Sequence, residues 1–342
     1  MRAVRFDRFG PPEQLTLRDV ADPEPPPGQV VVRVHAAAVN HLDLDERAGA
    51  SGFALHAEHQ LGREGAGEVV ATAADVDAGW IGRRVLVSAY PPCGTCQWCG
   101  RGLINVCARP RRPGIEVPGT YAERVAVPVS GIIPVPDGVP DDQASSAQLG
   151  LGTAWHALLR RGGLQAGDTV LVTGAGGGVG SAAVQVAAYA GAMVIAVARH
   201  PLRRQLAAEL GAGALVDPTD GPVDEQVRGI THGAGVDIVL DAVGGDFLDT
   251  GIACLRPTGR YVLYGAHGGE RPAVDLIGLF RSYGAVVASR GWTLEDLERV
   301  LRGMDEGRLR VVIGRRLPLA DAATAHRLLA AGDVVGNLVL QP

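Results

Sequence analysis

Residues Val170 to Ser181 have the sequence V-L-V-T-G-A-G-G-G-V-G-S. Val170 to Thr173 are apolar or β-branched, which predicts a buried strand, and the alanine-rich run after Ser181 favours a helix. The turn between them has the spacing Ala175-x-Gly177-x-x-Gly180, with alanine in the place of the first glycine of the dinucleotide-binding fingerprint. Such a turn lets the backbone approach a pyrophosphate closely. We therefore predict the first half of a nucleotide-binding βαβ unit; a glycine-rich loop without a ligand is the alternative.

The segments after this turn alternate between strand and helix patterns. Apolar runs predict strands at Met193–Ala198, Val236–Asp241, Tyr261–Tyr264 and Ala285–Ala288. Helical patterns separate most of them, notably Leu202–Leu210 and Phe247–Leu255. Strands that alternate with helices predict an α/β fold with a parallel, doubly wound sheet.

Composition limits the classes of function. The 342 residues suggest two domains, and no apolar run approaches the roughly 20 residues of a membrane-spanning helix. The net charge is −5 without a basic stripe, which argues against nucleic acid as a partner. All 32 Lys and Arg residues are arginines, which excludes a catalytic lysine. The first residues lack the apolar core of a signal peptide, so we expect a cytoplasmic protein that acts on a small molecule and binds no membrane.

The two ends of the chain differ from its α/β middle. Residues 1 to 130 contain short strand patterns separated by Pro and Gly, among them Ala3–Phe6, Gln29–Val34, Gly67–Ala71 and Arg84–Val87. After Gly291 the patterns predict helices at Leu294–Met304 and Ala320–Ala331, and extended segments at Arg315–Leu317 and Asn337–Leu340. This tail has no evident partner strands of its own, so we expect it to return to the first domain.

Several motifs together resemble those of the medium-chain dehydrogenase/reductase superfamily over nearly the whole chain. They include Leu61-Gly-Arg-Glu-Gly-Ala-Gly-Glu-Val, Cys93-Gly-Thr-Cys-Gln-Trp-Cys and Gly174-Ala-Gly-Gly-Gly-Val-Gly-Ser. The resemblance implies a GroES-like β-rich catalytic domain over 1–146, with a structural zinc lobe at about 91–110, and a Rossmann NADP-binding domain over 147–290. Residues 291–342 would rejoin the catalytic domain, and the active site would lie in the cleft between the domains. A homodimer joined through the Rossmann sheet edges is also implied, with contacts near Val286 and Leu276–Phe280.

Four cysteines follow one another in the pattern Cys93-x2-Cys96-x2-Cys99-x7-Cys107. Four thiolates at such a spacing can enclose Zn²⁺ tetrahedrally and leave no open position, which makes a structural site. The resemblance implies a zinc lobe with this spacing. Four free thiols or disulfides are the alternatives, and disulfides are rare in the cytosol. The fifth cysteine, Cys254, is expected to be a buried apolar residue.

The catalytic zinc of the family is a separate question. By resemblance, the three ligand positions of zinc alcohol dehydrogenases fall at Asn40, Arg63 and Leu149, none of which is a good zinc ligand. We therefore expect the catalytic zinc ligands to be absent, which removes the usual means of ionising an alcohol at neutral pH. A rebuilt metal site is the alternative, with candidate ligands His41, Asp43, His56, His59 and Glu64.

The predicted catalytic residues are Asn40, His41, Asp43, Arg63 and Thr153. By resemblance, Asn40 and Thr153 lie near the nicotinamide; Asn40 can bond a carbonyl, or it can cap a turn. His41 and Asp43 could form a proton relay or a buried structural pair. Arg63 could polarise a substrate carbonyl or hold an anionic substrate group, or it could form an ion pair with Glu64 or Asp43.

The end of the second predicted strand indicates the choice of cofactor. An acidic residue about 20 positions beyond the glycine turn normally holds the ribose 2′-OH of NAD. Here that place falls at Ala198-Arg199-His200, which has no carboxylate. Arg199, reinforced by Arg203 and Arg204, could bind the 2′-phosphate of NADP(H); solvated arginines and a pocket for either cofactor are the alternative. The predicted cofactor-binding residues are Thr153, Gly174, Ala175, Gly177, Gly178, Val179, Gly180, Arg199, Arg203, Arg204, Ala242, Tyr264, Gly265 and Asn337.

Three functions remain open at this point. The first is an NADPH-dependent oxidoreductase that reduces a quinone or an α,β-unsaturated carbonyl compound without catalytic zinc. The second is a zinc-independent alcohol dehydrogenase or ketone reductase. The third is an NADPH-binding protein without turnover, which the loss of all three metal ligands keeps open and the intact glycine turn argues against.

Overall fold

The computed structural model describes residues 1–50, 52–55, 58–332 and 334–342. His56, one of the candidate metal ligands, lies outside the described residues. The chain separates into two compact units. The first unit comprises residues 1–149 and 293–342, and the second comprises residues 150–292.

The strands occupy both units. In chain order they are β1 (Arg2–Arg5), β2 (Thr16–Asp19), β3 (Gln29–Val39), β4 (Glu64–Thr72), β5 (Arg84–Val87), β6 (Arg124–Pro128), β7 (Ile132–Pro134), β8 (Thr169–Val172), β9 (Met193–Val197), β10 (Ala214–Val216), β11 (Val236–Asp241), β12 (Leu255–Leu263), β13 (Ala285–Ala288), β14 (Ile313–Pro318) and β15 (Asn337–Gln341).

The helices are mostly short. They are α1 (His41–Ala48), α2 (Asp141–Ser145), α3 (Thr153–Trp155), α4 (Gly178–Tyr189), α5 (Pro201–Glu209), α6 (Val223–Ile230), α7 (Phe247–Cys254), α8 (Leu276–Arg281), α9 (Leu294–Asp305) and α10 (Ala322–Ala331). Wider π-helical turns, Gln148–Gly152 and His156–Arg161, flank α3. Within the described ranges, no helix combines the length and the apolar character that crossing a bilayer requires.

A largely antiparallel sheet forms the first unit. Its strand order is β14-β15-β3-β4-β5-β7, and β6 also pairs with β3. β3 is long and rich in valine and alanine, and most of its residues are buried, so it forms the centre of the core. Helix α1 begins directly after β3, which places Asn40 at the junction of the sheet and the helix.

The second unit is a six-stranded parallel sheet with the order β10-β9-β8-β11-β12-β13. Numbered within the unit, this order is 3-2-1-4-5-6, the doubly wound arrangement that binds dinucleotides where the strand order reverses. That reversal lies between β8 and β11. The predicted α/β fold is therefore confirmed, and Cys254 is buried in the core of this unit as expected.

The tail differs from the sequence-based expectation in one respect. Residues 293–342 do belong to the first unit, where β15 pairs antiparallel with β3. The expectation that the tail has no partner strands of its own is wrong, because β14 pairs in parallel with β15. The sequence of a strand of only six residues next to a helix does not predict the strand with which it pairs.

Candidate active site and zinc lobe

The glycine turn lies between β8 and α4. Gly174 adopts a positive φ of 57°, which favours glycine, and a Cβ added to Gly180 would overlap the carbonyl oxygen of Gly174. Helix α4 begins at Gly178, so the first N–H groups of the helix belong to Gly178, Val179 and Gly180. A turn that only glycine permits, followed at once by unpaired helix N–H groups, fits a pyrophosphate.

Asp241 joins the strand ends around this turn. Its buried carboxylate accepts hydrogen bonds from the Thr173 hydroxyl (2.5 Å), the Tyr261 hydroxyl (2.5 Å) and the backbone N–H groups of Val243 (3.1 Å) and Gly244 (2.7 Å). Thr173 directly follows β8, the two backbone donors follow β11, and Tyr261 lies within β12. One side chain therefore fixes the edge of the sheet at which the strand order reverses. In the sequence, the one signal for Asp241 is that an acidic residue ends an apolar strand, and this signal does not predict the four donors.

Other predicted cofactor residues lie close to this edge. Ala242 directly follows Asp241, and a Cβ added to Gly265 would lie 3.2 Å from the Cβ of Ala242. The Tyr264 N–H donates to the Asp241 carbonyl (2.9 Å), which extends the pairing of β11 with β12. Thr153 is half-buried at the start of α3. Asn337 begins β15 in the first unit, so its assignment to the cofactor stays a prediction.

The arginines after β9 have different environments. Arg199 is exposed. The stem of Arg203 lies against the glycine turn, since a Cβ added to Gly176 would overlap it. Arg204 forms an ion pair with Asp217 (2.6 Å) and donates to the carbonyls of Ala198 (2.8 Å) and Arg199 (2.6 Å). Arg204 is therefore already engaged by three protein acceptors, unlike the phosphate ligand that the sequence suggested.

In the first unit, Asn40 and Leu149 meet at the carboxylate of Glu64. The Asn40 side-chain amide donates to Glu64 Oε2 (2.8 Å), and the Leu149 backbone N–H donates to Glu64 Oε1 (2.8 Å). Glu64 is only 1% exposed. Burial raises the pKa of Glu64 to about 7 although both donors oppose this shift.

Arg63 binds a partner that the sequence did not suggest. Its Nε donates to Glu46 Oε1 at 2.7 Å, and its Nη2 contacts the same oxygen; both side chains are buried. The ion pair therefore forms with Glu46, and the predicted partners Glu64 and Asp43 are wrong. Glu46 is one turn of α1 beyond Asp43, and nothing in the sequence shows that this helix faces the start of β4.

His41 and Asp43 have opposite environments. His41 is exposed at the start of α1, whereas Asp43 is buried and accepts hydrogen bonds from the Asn40 N–H (2.8 Å) and the Tyr121 hydroxyl (3.3 Å). Burial raises the pKa of Asp43 to about 6. Residues two positions apart on a helix do not face each other, so the geometry does not favour the predicted direct relay. Instead, the Tyr121 hydroxyl lies 3.3 Å from Nε2 of the buried His326.

The four cysteines form one compact cluster. All four Sγ atoms lie within 4.8 Å of one another, with 3.9 Å between Cys93 and Cys99 and 4.0 Å between Cys96 and Cys107. Zn–S bonds of about 2.3 Å give a tetrahedron with S–S edges of about 3.8 Å, so the cluster fits a Cys₄ zinc site. These distances greatly exceed a disulfide bond of about 2.05 Å, which disfavours the disulfide alternative.

Comparison with known proteins assigns the family. A model described as "Alcohol dehydrogenase GroES-like domain" matches residues 26–137, and one described as "Zinc-binding dehydrogenase" matches residues 178–306. A Sulfolobus acidocaldarius protein named NAD-dependent alcohol dehydrogenase is 33% identical, and the alignment covers 100% of this chain and 99% of that protein. The chain belongs to the medium-chain dehydrogenase/reductase superfamily. It is therefore an oxidoreductase of that type.

Further superfamily members resemble the chain over its whole length. A Pseudomonas aeruginosa protein named quinone oxidoreductase is 30% identical, with 100% of this chain and 99% of that protein covered. A solved structure named NAD-dependent alcohol dehydrogenase superposes with a TM-score of 0.94 at 36% identity, and both chains are covered completely. The names of these relatives include both alcohol and quinone oxidoreductases.

The three residues at the positions that the resemblance assigns to the catalytic zinc all have other partners in this structure. Asn40 offers an amide that is bonded to Glu64, Leu149 contributes a backbone N–H, and Arg63 brings a cation that is paired with Glu46. Within the ranges that the structure describes, the four cysteines are the group of candidate ligands that lies close enough to bind one ion. Of the proposed substitutes, His59 instead bonds the Gly114 carbonyl (2.9 Å) and packs against Phe6 and Phe53.

Proposed function

We propose that this protein is an NADPH-dependent reductase that transfers hydride to an activated C=C bond, in a quinone or an α,β-unsaturated carbonyl compound, without catalytic zinc. The observation that carries the proposal is the arrangement at the three zinc-ligand positions. Asn40 and Leu149 both donate to Glu64, and Arg63 is held by Glu46, so protein groups satisfy one another where a metal would need free ligands.

This arrangement suits an activated C=C bond better than an alcohol. An alcohol must lose its proton as hydride leaves, which usually needs a Lewis acid at neutral pH. Hydride addition to the β-carbon of an enone instead pushes negative charge onto the carbonyl oxygen, and a proton then adds to the α-carbon. The charge needs only a hydrogen-bond donor, and the Asn40 amide has a second N–H besides the one given to Glu64.

The two predicted domains would have different functions, namely substrate binding and NADPH binding. Residues 1–146 would hold the substrate, with Asn40 as the donor and Arg63 and Asp43 as buried charges that position α1 and the start of β4. Residues 147–290 would bind NADPH through the glycine turn, and Thr153 would lie beside the nicotinamide. Bound NADPH supplies the hydride; the residues of this chain orient the acceptor and stabilise its charge.

The cysteine cluster has a structural role in this proposal. Cys93, Cys96, Cys99 and Cys107 would hold one Zn²⁺ with no open position, which fixes the lobe at about 91–110. The backbone N–H groups of Cys99 and Arg109 already point at cluster sulfurs, at 3.5 Å from Cys96 Sγ and 3.4 Å from Cys107 Sγ. Such donors stabilise thiolates and are consistent with ligation.

A homodimer in the cytoplasm completes the proposal. Strand β13 is an edge of the parallel sheet, and exposed apolar side chains accompany it, namely Leu276, Ile277, Phe280, Tyr283 and Val286. Phe280 is 77% and Tyr283 is 83% exposed, and an unpaired edge with such a surface fits a second copy of this chain. Light scattering at micromolar concentration should give twice the mass of the chain, and Phe280→Glu should shift it towards the monomer. A monomeric wild type would contradict the dimer.

Zinc-independent alcohol oxidation or ketone reduction is the second candidate, favoured by the relatives named alcohol dehydrogenase. A substrate panel separates the candidates. Oxidation of NADPH is followed by the loss of reduced-nicotinamide absorbance, with quinones, enones, ketones and alcohols compared in both directions. We expect turnover with quinones or enones. Turnover only with ketones and alcohols would favour the second candidate, and cofactor binding without any turnover would favour a non-catalytic protein.

A further inference from the structure

One arginine of α5, Arg204, bonds groups that follow two neighbouring strands in the second unit. β9 and β10 run in parallel, and Asp217 directly follows β10. Asp217 Oδ2 binds Arg204 Nη1 (2.6 Å), while its Oδ1 accepts from the Thr219 N–H (2.9 Å) and hydroxyl (2.7 Å). Hydrogen bonds from Thr219, together with Arg204, hold the pKa of Asp217 below its usual value. Asp217 is therefore an ionised partner for Arg204.

The same guanidinium nitrogen fixes the backbone after β9. Arg204 Nη1 donates to the carbonyl oxygens of Ala198 (2.8 Å) and Arg199 (2.6 Å). Two successive carbonyls therefore point at one cation that Asp217 neutralises. This arrangement sets the direction in which the Arg199 side chain leaves the strand end, and it leaves Arg204 occupied by protein acceptors.

Arg203, one residue earlier on α5, has a different position. Its Cβ, Cγ and Cδ atoms fill the space where a side chain at position 176 would lie. Gly176 belongs to the pyrophosphate turn, so its lack of a side chain lets Arg203 rest directly against that turn. The 2′-phosphate of an adenosine ribose lies close to the turn that holds the pyrophosphate, because both are attached to the same nucleoside.

We propose that Arg199 and Arg203 bind the 2′-phosphate of NADPH, whereas Arg204 and Asp217 form a brace that positions Arg199 and touches no part of the cofactor. The inference rests on the proposed function, because it assumes a cofactor with a 2′-phosphate. It changes the role of Arg204 from phosphate ligand to positioning residue and gives Asp217, an acidic residue near an anion site, a part in binding that anion.

The sign of one effect distinguishes the brace from a direct ligand. If Arg204 bound the phosphate, Asp217→Asn would release the Arg204 guanidinium from its ion pair and would also remove a nearby negative charge. Phosphate binding would then strengthen. If Arg204 is a brace, Asp217→Asn loosens the Ala198–Arg199 backbone and weakens binding. The brace also predicts that Arg204→Ala and Asp217→Asn are not additive, since either one breaks the same unit.

The experiment measures Kd for 2′,5′-ADP and for 5′-AMP by calorimetry on the full chain. The ratio of Kd for 5′-AMP to Kd for 2′,5′-ADP isolates the 2′-phosphate, because other effects on the adenosine site cancel. We expect a wild-type ratio well above one, a drop of about tenfold in Arg203→Ala, the scale of a charged hydrogen bond, and a smaller drop in Asp217→Asn. Arg228→Ala is the matched control. It removes an arginine of the same unit that donates a hydrogen bond to the Ala253 carbonyl, so the ratio of the two Kd values should not change.

The outcomes separate the two levels of the proposal. A wild-type ratio near one overturns the NADPH preference itself. A high wild-type ratio that Asp217→Asn leaves unchanged or raises overturns the brace alone. A high ratio that Arg203→Ala leaves unchanged overturns the assignment of Arg203. Thermal unfolding of each variant identifies any variant that fails to fold. Arg204→Lys, which keeps the charge and several donors, then provides the second test and should retain more of the Kd ratio than Arg204→Ala. Equal losses of the ratio in the two variants would contradict the brace.

Discussion

Asp241, the last residue of β11 in the second unit, and Glu64, the first residue of β4 in the first unit, are both buried carboxylates, but their hydrogen bonds differ. Asp241 accepts from four neutral donors, at 2.5 to 3.1 Å. Glu64 accepts from Asn40 and Leu149, and burial raises its pKa to about 7. A carboxylate that bonds groups beside three strands is suited to hold a rigid frame, whereas the raised pKa of Glu64 lets that carboxylate change its protonation near neutral pH.

The surroundings of Asp241 and Glu64 also differ, since one lies in a rigid frame and the other among groups that can be ionised. Asp241 fixes strand ends beside a glycine turn, where a cofactor needs an unchanging backbone. Glu64 lies in a region with further buried ionisable groups, namely Asp43, Glu46, Arg63, Tyr121 and His326. Burial lowers the pKa of His326 to about 3, so this histidine is neutral at physiological pH. The first unit therefore keeps several charges and protons within its core, and the edge that Asp241 fixes in the second unit relies on neutral donors.

The largest effect is expected from Asp241→Ala. The change leaves four donors without their acceptor, so the free energy of unfolding should fall by roughly 3–5 kcal/mol, and the KM for NADPH should rise. Urea unfolding and steady-state kinetics measure the two quantities. Glu270→Ala, which removes an exposed carboxylate from a loop of the same unit, is the matched control and should change neither. If the two variants had the same free energy of unfolding and the same KM for NADPH, Asp241 would not hold the strand ends in the way proposed.

Arg199→Ala should change the cofactor preference without disturbing that frame. Loss of one charged hydrogen bond to the 2′-phosphate should lower kcat/KM for NADPH by the equivalent of about 1.5–3 kcal/mol and leave the value for NADH nearly unchanged. Because Arg199 is exposed, the melting temperature should stay within a degree or so of the wild type. Equal use of both cofactors by the wild type, or an unaltered preference in the variant, would contradict the assignment.

Glu64→Gln should change the pH dependence of stability. The pKa of Glu64 is about 7 in the folded protein and lies near its ordinary value of 4.5 in the unfolded chain. Between these pH values the folded state binds the extra proton, so its stability falls as pH rises, by up to about 1.4 kcal/mol per pH unit from this group. The variant should lose that part of the slope, while the part due to Asp43 remains.

Thermal melts from pH 4.5 to 7.5 measure this slope, with the exposed Glu24→Gln as the matched control. A Glu64→Gln variant whose stability has the same pH dependence as that of the wild type would show that Glu64 does not exchange its proton in this window. The proposed difference in role between Glu64 and Asp241 would then disappear.

Local patterns predicted the second unit well. The strands at Val236–Asp241 and Ala285–Ala288 have the predicted bounds, and the glycine turn lies between a strand and a helix, because neighbouring residues determine these features. Contacts between distant parts of the chain could not be predicted in this way. Arg63 and Glu46 are 17 positions apart in the chain, and the pairing of β14 with β15 depends on the register of the whole first unit. The donors of Asp241 likewise come from three strands, which only the folded sheet brings together.

We propose that the reaction proceeds where buried protein groups occupy the positions of a catalytic metal. Metal analysis of purified, active protein, combined with NADPH-dependent enone or quinone reduction before and after treatment with a mild chelator, tests it most directly. We predict about one zinc per chain, held by Cys93, Cys96, Cys99 and Cys107, and activity that does not depend on any further metal. Two zinc ions per chain, with activity lost when the more weakly bound ion is removed and recovered when it is restored, would contradict the claim.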